Sequence, residues 1–257
     1  MHPLVNIGIL AARAAGNLIM RNYDRADSIK IERKGKSDFV TVVDRGAEAE
    51  IVKIIRKHYP DHSILGEEGG ASGRDPEVRW IIDPLDGTTN FLHALPHFAV
   101  SIGVQVNGRL EHGVIYAPCT QDLYVGSSGD GATLNNRRIR VSKINTLEDA
   151  LVGTGFPIRN PEVLDQYLPM VRAVADNTAG VRRAGSAALD LAYVAAGRLD
   201  GYFELNLKPW DIAAGIVMVR EAGGTVLGLS EGDVLEHGNV LATNAKLSNP
   251  LKNLLGR

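Results

Sequence analysis

The chain has 257 residues, of which 44% are hydrophobic and 23% are charged, and its formal net charge is −2. This length suits one large domain or two small ones with a sizeable core, and the composition is that of an ordinary globular protein. The weak net charge gives no general attraction to nucleic acid or to an anionic membrane, so we expect neither a membrane partner nor sequence-specific nucleic-acid binding.

The N-terminal segment predicts a helix, a short strand and a second helix. Apolar residues recur at helical spacing from Leu4 to Leu18, and polar residues interrupt them too often for a membrane span. The segment Ile29–Ile31 is a strand candidate, and the basic residues at 33–38 predict a flexible loop. Asp44 before a periodic apolar run indicates the second helix. The lack of a basic secretory region and the single cysteine, Cys119, favour a cytoplasmic protein.

The next part of the chain predicts a mostly antiparallel sheet. Short apolar runs are strand candidates at 63–65, 98–106, 110–116, 123–125 and 132–134. Asn107-Gly108 lies between two of these runs and is a strong signal for a β-hairpin.

The most informative stretch runs from Trp80 to Asn90 and reads WIIDPLDGTTN. Its apolar start predicts a short buried strand, and the proline and glycine that follow predict a tight turn from Asp83 to Thr88. The carboxylates of Asp83 and Asp86 can converge on such a turn, and a divalent cation would remove their repulsion. The carbonyl of Leu85, between them, offers a third oxygen ligand.

The residues after this turn suit a phosphate. Thr88 and its neighbour open a predicted helix, where free N–H groups and the helix dipole favour an anion. Hard oxygen ligands beside an anion site are typical of Mg²⁺ with a phosphate. The alternative is an Asx turn followed by an ordinary helix N-cap, which a single aspartate before Gly-Thr usually forms.

The C-terminal part alternates short strands and helices, which predicts a smaller and more open α/β unit. Strand candidates lie at 151–154, 180–183, 200–203, 225–229 and 240–243, and helix candidates at 162–177, 186–197, 211–222 and 249–255. We therefore expect an N-terminal α+β domain at 1–143 and a C-terminal α/β domain at 144–257. No flexible linker separates them, so we expect a large interface between them and a pocket in it.

The pattern resembles the inositol monophosphatase family of Mg²⁺-dependent, lithium-sensitive sugar phosphatases. The segment Asp83–Asn90 is similar to the family signature, and Gly66–Glu68 and Pro209–Gly215 are similar to its two other motifs, in the same order. The stretches Leu95–Ile102 and Gly185–Tyr193 resemble the bacterial SuhB-type branch. The resemblance implies an α+β fold, a layered α/β/α/β/α sandwich that is usually a homodimer, with the active site between its two parts.

The resemblance also implies two or three Mg²⁺ ions held by acidic residues from three segments. Glu67 corresponds to a ligand of the first metal and, through a bound water, to part of the catalytic apparatus. Asp211 joins Asp83 and Asp86 around the second metal, and the Leu85 carbonyl completes the set of ligands. Without the resemblance, a solvated loop is the usual interpretation of the glutamate pair at 67–68, and a helix N-cap is the ordinary role of Asp211.

Asp44 and Thr88 form a catalytic pair by the same resemblance. A buried Asp44 that accepts a hydrogen bond from the Thr88 hydroxyl would orient this hydroxyl towards the attacking water. Asp44 can equally be only the cap of its helix. The residues expected to contact the substrate are Asp86, Gly87, Thr88, Gly185, Ser186, Ala187, Glu204 and Asp211.

Two other phosphatase chemistries do not fit the sequence. A cysteine-dependent phosphatase requires an arginine shortly after its cysteine, but Val125 stands at that position after Cys119. An aspartyl-phosphate enzyme requires its two carboxylates closer together in the chain than Asp83 and Asp86 are.

The leading hypothesis is therefore a Mg²⁺-dependent phosphomonoesterase that hydrolyses inositol monophosphate and related sugar or polyol phosphates with metal-activated water. Phosphatases of 3′-phosphoadenosine 5′-phosphate or of fructose-1,6-bisphosphate are the enzymatic alternatives. A second class of function is also implied, because SuhB-type relatives bind the elongation factor NusA and RNA polymerase in transcription antitermination. That role would use surface residues such as Arg182 and Arg183 in place of the acidic site.

Overall fold

The computed structural model describes residues 2–23, 31–35, 38–157 and 161–256. Eight helices and fifteen strands lie in this part of the chain. The helices are α1 (Pro3–Tyr23), α2 (Val42–His58), α3 (Thr88–Leu92), α4 (Pro161–Asn177), α5 (Ala187–Ala195), α6 (Pro209–Glu221), α7 (Val234–His237) and α8 (Ser248–Leu254). The strands are β1 (Ile31–Gly35), β2 (Asp38–Thr41), β3 (Ser63–Gly66), β4 (Gly70–Ser72), β5 (Val78–Asp86), β6 (Ala99–Val106), β7 (Arg109–Ala117), β8 (Asp122–Ser127), β9 (Gly131–Leu134), β10 (Arg137–Arg138), β11 (Leu151–Thr154), β12 (Gly180–Arg182), β13 (Gly201–Glu204), β14 (Gly224–Gly228) and β15 (Val240–Asn244).

Strands β3 to β10 form an eight-stranded sheet, the large sheet, in the order β10-β9-β8-β7-β6-β5-β3-β4. Its paired strands are antiparallel except β3 and β5, which are parallel. The predicted hairpin is confirmed, because Asn107 and Gly108 connect β6 to β7 with φ values of 51° and 76°. Positive φ at both positions gives the turn the twist of the flanking strands.

Strands β11 to β15 form a five-stranded sheet, the small sheet, in the order β12-β11-β13-β15-β14. The first three are parallel, and β15 is antiparallel to both of its neighbours. Side chains alternate between the two faces of this sheet. Tyr202 packs in the core on the face towards the large sheet, whereas Phe203 packs in the core on the outer face.

Three hydrophobic cores stack these elements into five layers. α1 and α2 cover the outer face of the large sheet through residues such as Ile19 and Ile51. α5 and α6 fill the space between the two sheets, where Leu191 and Ile216 are buried. α4 and α8 cover the outer face of the small sheet, where Leu251 is buried. The arrangement is the expected α/β/α/β/α sandwich, so the predicted fold class is confirmed.

A column of glycines lets α6 lie close to the large sheet. Gly103, Gly113 and Gly126 are direct neighbours on β6, β7 and β8. A Cβ atom on Gly103 would lie 2.6 Å from the Cβ of Ala213, and one on Gly113 would lie 2.5 Å from the carbonyl oxygen of Ala214. The glycine column is therefore a groove that receives the helix carrying Asp211.

Some local predictions were wrong. The basic segment expected to be a flexible loop contributes to an antiparallel pair of strands, β1 with β2. The strand candidate residue Ile29 lies outside the described residues. β4, whose residues are all exposed, and the short α7 have no apolar periodicity, and for that reason neither was predicted.

Helix α1 is, among the described residues, the one helix long and apolar enough to cross a membrane, and 44% of its most apolar window is buried inside the fold. Its buried residues, which include Ala11, Ala15 and Ile19, belong to the core between α1, α2 and the large sheet. This is the packing of a core helix.

Candidate functional site

A cleft of about 960 Å³ lies between the end of β5 and the N-terminal ends of α5 and α6. All but one of the predicted site residues line it, namely Glu67, Asp83, Leu85, Asp86, Gly87, Thr88, Gly185, Ser186, Ala187, Glu204 and Asp211. The exception is Asp44, which is 2% exposed and lies behind Thr88. The fold therefore brings residues from distant segments of the chain to one place.

The segment that carries Asp83 and Asp86 is a bulged strand and not the predicted tight turn. β5 continues to Asp86, and its pairing with β6 shifts between the two aspartates because Pro84 and Leu85 stand opposite a single residue. Proline suits a bulge because it has no N–H group for the strand ladder. The bulge places both carboxylates on the lining of the cleft.

Gly87 ends the strand and allows the chain to turn into α3. Its φ is 95°, in the left-handed region that favours glycine. A Cβ atom there would lie 3.0 Å from the carbonyl oxygen of His97. The prediction that a helix opens at Thr88 is confirmed.

Asp83 and Asp86 each use one carboxylate oxygen to accept hydrogen bonds from the fold. Oδ1 of Asp83 accepts from the backbone N–H of Leu85 at 2.9 Å. Oδ2 of Asp86 accepts from the Ser186 hydroxyl at 2.7 Å and from the backbone N–H of Ala188 at 2.7 Å. In the described part of the chain the other oxygen of each aspartate accepts no hydrogen bond, so it is available to a ligand.

Asp211 is the third residue of α6 (position N3) and not the N-cap considered from the sequence. Lys208 is the N-cap of α6, and its backbone N–H donates to Oδ2 of Asp211 at 2.7 Å. As with the other two aspartates, the second oxygen of Asp211 has no donor within the described ranges. The position of Asp211 therefore depends on how α6 lies in the groove of the glycine column.

These acidic groups resist ionising together. Burial raises the pKa of Asp83 well above its usual value, and the negative charges of Glu67, Asp86 and Asp211 raise it further. Burial raises the pKa of Asp86 to about 6, although its hydrogen bonds oppose the shift. Burial also raises the pKa of Asp211 well above the usual value, with the charge of Asp86 as the next cause. A nearby cation would remove this repulsion.

The donor set fits Mg²⁺. Among the described residues, no group of three or more acidic, histidine or cysteine side chains is arranged so that it could hold a metal ion by itself. Mg²⁺ does not need such a group, because it usually keeps several waters and binds through one or two carboxylates and the substrate phosphate. The open oxygens of Asp83, Asp86 and Asp211, with Glu67 and the Leu85 carbonyl on the same cleft, supply oxygen donors of the required kind.

Thr88 and Asp44 are hydrogen-bonded, as their predicted pairing requires. Oγ1 of Thr88 lies 2.9 Å from Oδ1 of Asp44 and 3.1 Å from the carbonyl oxygen of Leu85. Oδ2 of Asp44 accepts from the backbone N–H and the hydroxyl of Thr41, at 2.9 and 2.5 Å. Thr41 is the N-cap of α2 and Asp44 completes its capping box. Asp44 therefore caps its helix and holds Thr88 at the same time.

The start of α5 is connected to Asp86 through Ser186. The Ser186 side chain caps α5 by accepting from the backbone N–H of Leu189 at 3.3 Å, and its hydroxyl proton is donated to Asp86. A substrate group can therefore reach this hydroxyl only as a further donor. Gly185 precedes it with a φ of 92°.

Glu204 ends β13 beside Tyr202 and a second acidic residue, Asp190. Its carboxylate accepts a hydrogen bond from the Tyr202 hydroxyl, and a Cβ atom on Gly155 would collide with it. Asp190 lines the same cleft, and its Oδ1 is buried without a hydrogen-bond partner among the described residues. Burial first and the charge of Glu204 second raise the pKa of Asp190 well above its usual value.

Three further residues line the cleft that the sequence did not assign to the site, namely Asn90, Asp190 and Arg183. Asn90 donates to the carbonyl oxygens of His97 and Ala184 at 2.7 and 2.9 Å, which ties α3 to the segment before α5. Asn90 ends the signature stretch, and Asp190 is the acidic residue of an otherwise apolar helix turn, so both had a visible signal. Arg183, considered for a partner surface, lines the cleft.

Known proteins are similar to this chain over nearly all of its length. The model of the inositol monophosphatase family matches residues 1–255. The protein named Nus factor SuhB from Pseudomonas aeruginosa is 52% identical over 252 residues, which cover 96% of this chain and 93% of that protein. The crystal structure of the extragenic suppressor protein SuhB from Bartonella henselae has a TM-score of 0.96 and 43% identity, and the match covers 100% of this chain and 99% of that chain. An inositol monophosphatase from Anabaena has a TM-score of 0.89 and 41% identity, covering 98% of this chain and 95% of that chain.

Proposed function

The chain belongs to the inositol monophosphatase family, and from this we propose that it is a Mg²⁺-dependent phosphomonoesterase of inositol monophosphate and related polyol phosphates. The observation that carries the proposal is the meeting of Glu67, Asp83, Asp86 and Asp211 on one cleft. Burial raises the pKa values of Asp83, Asp86 and Asp211, so a cation would stabilise their charged forms, and a phosphate ester dianion beside them requires the same cation. Both requirements are met by Mg²⁺.

Magnesium bound to these oxygens would neutralise the ester, activate a water and stabilise the leaving alkoxide. The protein's own contribution centres on Thr88, whose hydroxyl proton is used in the 2.9 Å hydrogen bond to Asp44. The Thr88 oxygen is therefore left to accept a hydrogen bond from the attacking water and to orient it. The water oxygen bonds to phosphorus while the bond from phosphorus to the ester oxygen breaks, so the products are phosphate and the free polyol.

The other cleft residues are available to the polyol. Glu204 supplies a carboxylate that accepts hydrogen bonds from sugar hydroxyls, and Gly185 and Ala187 supply backbone groups at the entrance to α5. Gly87 also lines the cleft and would offer its backbone N–H to the phosphate. No covalent phosphoenzyme is needed.

Replacement of Asp83 by asparagine tests the proposal. Asp83→Asn keeps the shape of the side chain and removes a ligand charge, so we expect Mg²⁺-dependent phosphate release from inositol 1-phosphate to be lost with the fold intact. The matched control is Asp176→Asn, which makes the same charge change at an exposed ion pair on α4. Phosphate release by Asp83→Asn at the rate of the control would refute the site.

A substrate panel tests the substrate class. Inositol 1-phosphate, 3′-phosphoadenosine 5′-phosphate and fructose-1,6-bisphosphate are compared by kcat/KM at fixed Mg²⁺. A preference for either of the last two would replace the proposed substrate while leaving the reaction unchanged.

A second function is favoured by the name of the Pseudomonas aeruginosa relative, which is 52% identical. We propose that this chain also associates with the transcription machinery, with NusA and RNA polymerase as the partners. Complementation of a null strain by Asp83→Asn separates the two functions. Rescue assigns the cellular role to binding, and failure by a folded protein assigns it to catalysis.

Several further properties belong to this proposal. We infer a cytoplasmic homodimer that binds two or three Mg²⁺ ions, is inhibited by lithium, and consists of two parts at 1–143 and 144–257. Light scattering on the purified protein measures the oligomeric state, and inhibition of phosphate release by LiCl measures the lithium sensitivity.

A further inference from the structure

Glu48 is a buried carboxylate outside the cleft that holds the loop carrying Glu67. It lies on α2 and is 6% exposed. Its Oε2 accepts from the backbone N–H of Glu68 at 2.9 Å, and its Oε1 accepts from the backbone N–H of Gly69 at 2.6 Å. Hydrogen bonds from N–H groups to a charged acceptor are about twice as strong as neutral ones.

The loop approaches this carboxylate too closely for ordinary side chains. A Cβ atom on Gly66 would lie 2.5 Å from Oε2 of Glu48, and one on Gly69 would lie 2.7 Å from Oε1. Gly69 does not have the positive φ that would by itself select glycine. The glycines on either side of the glutamate pair therefore leave room for the Glu48 carboxylate, which a larger side chain would have to displace.

Glu67 is fixed from both directions along the chain. Its own backbone N–H donates to the carbonyl oxygen of Ile82 at 3.1 Å, on β5 directly before Asp83. The next two backbone N–H groups donate to Glu48. The backbone on both sides of the Glu67 side chain is thus tied to β5, which carries Asp83 and Asp86, and to α2, which carries Asp44.

One face of α2 holds two parts of the site. Asp44 and Glu48 are separated by one helical turn and both are buried, in a row that continues with Ile51 and Ile55. Asp44 holds Thr88, and Glu48 holds the segment after Glu67. Burying two carboxylates in an otherwise apolar row costs free energy, and packing of the helix alone does not require it.

We propose that Glu48 is a positioning residue that sets the place of Glu67 for binding the divalent cation. It touches neither cation nor substrate and acts through the backbone of Glu68 and Gly69. This inference rests on the proposed function for the identity of the cation.

The test compares Glu48→Gln with wild type in two measurements. The first is hydrogen exchange of the Glu68 and Gly69 amides in the protein without added metal. The second is the Mg²⁺ concentration at the midpoint of the Mg²⁺-induced rise in Tm. The matched control is Asp200→Asn, because Asp200 is also a buried carboxylate that accepts a backbone N–H, from Leu151 at 2.6 Å, at the far end of β13.

In Glu48→Gln an NH₂ group faces one of the two backbone donors, so that hydrogen bond is lost. We expect faster exchange of the Glu68 and Gly69 amides and a Mg²⁺ midpoint raised by about 10-fold to 100-fold, the usual range for a partner of a metal ligand. Asp200→Asn is expected to change neither the exchange of these two amides nor the Mg²⁺ midpoint. Gly69→Ala disturbs the same contact from the loop side and replaces Glu48→Gln if that variant does not fold.

Two results would overturn the inference. One is an unchanged Mg²⁺ midpoint in a variant whose loop amides exchange faster, and the other is an equal rise of the midpoint in Asp200→Asn. A wild-type protein whose Tm does not respond to Mg²⁺ instead refutes the proposed function. A normal wild-type response that Glu48→Gln keeps in full refutes only the role of Glu48.

Discussion

Replacing Thr88 by valine separates the chemistry of the Thr88 hydroxyl from its shape. The variant loses the 2.9 Å hydrogen bond to Asp44 and the 3.1 Å contact with the Leu85 carbonyl oxygen, and it keeps the volume of the side chain. Asp44 keeps both hydrogen bonds from Thr41, so the loss in free energy of unfolding is expected at the lower end for a charged acceptor, about 1.5 kcal/mol.

The effect of Thr88→Val on turnover is expected to be much larger than its effect on stability. A positioned side chain that takes part in proton transfer from the reacting water typically contributes about 10²-fold to 10⁴-fold to the reaction rate. We therefore expect kcat to fall by at least about 100-fold while KM changes by less than about threefold, because the hydroxyl acts on the attacking water and not on substrate affinity. Phosphate release from inositol 1-phosphate at saturating Mg²⁺ measures both constants, and urea unfolding measures stability.

Two further variants complete this experiment. Thr88→Ser keeps the hydroxyl and is expected to retain most of the activity. If Thr88 and Asp44 act as one unit, Thr88→Val costs little more in an Asp44→Asn background than Asp44→Asn alone. The reasoning is refuted if Thr88→Val keeps kcat within about tenfold of wild type, or if the serine variant is as inactive as the valine variant.

Three further predictions concern the cation, a buried acid and a glycine. Mg²⁺ at ten times its Kd is expected to stabilise the wild type by about 1.4 kcal/mol, and Asp83→Asn is expected to show no such rise in Tm; an equal rise would contradict the site. The pKa of Asp190 is raised by burial and by Glu204, so its stabilisation of the wild type is lost as pH rises above the unfolded value towards the raised one. The free energy of unfolding of Asp190→Asn relative to wild type is therefore expected to increase from pH 5 to pH 8, and parallel pH curves from urea unfolding would contradict this. Gly87→Ala is expected to lower the free energy of unfolding by about 2 kcal/mol more than Gly108→Ala, because both have positive φ but only at Gly87 would the added methyl group crowd neighbouring atoms; equal losses would contradict it.

Much of the fold could be predicted because its signals are local. The hairpin at Asn107-Gly108 and the strands and helices after residue 144, except α7, follow from turn residues and apolar periodicity, and the structure has them. β4 and the pairing of β1 with β2 could not be predicted, because exposed or basic strands show no alternation and form only where a partner strand is available.

Many of the residues that line the candidate site could be named from the sequence, but the local geometry of the backbone there could not. Asp83 and Asp86 were identified as converging carboxylates, but the bulge at Pro84 and Leu85 depends on the register of β6 and cannot be read from the segment itself. The N-caps at Thr41 and Lys208 show the same limit. Where a helix begins depends on the direction from which the chain enters it, and the aspartates that the sequence offered as N-caps are the N3 residues of their helices.

The glycine column has a consequence for anyone who engineers this protein. Exchanging glycine for alanine in regular structure is a common route to a more heat-resistant variant, and Gly103, Gly113 and Gly126 are attractive targets because their backbone angles permit alanine. An added methyl group would lie 2.6 Å from α6 at Gly103, 2.5 Å at Gly113 and 3.1 Å at Gly126, so alanine at the first two is expected to push α6 from the sheet and to displace Asp211. Mutational scans scored by activity should therefore find intolerant positions on two adjacent strands that never touch a ligand.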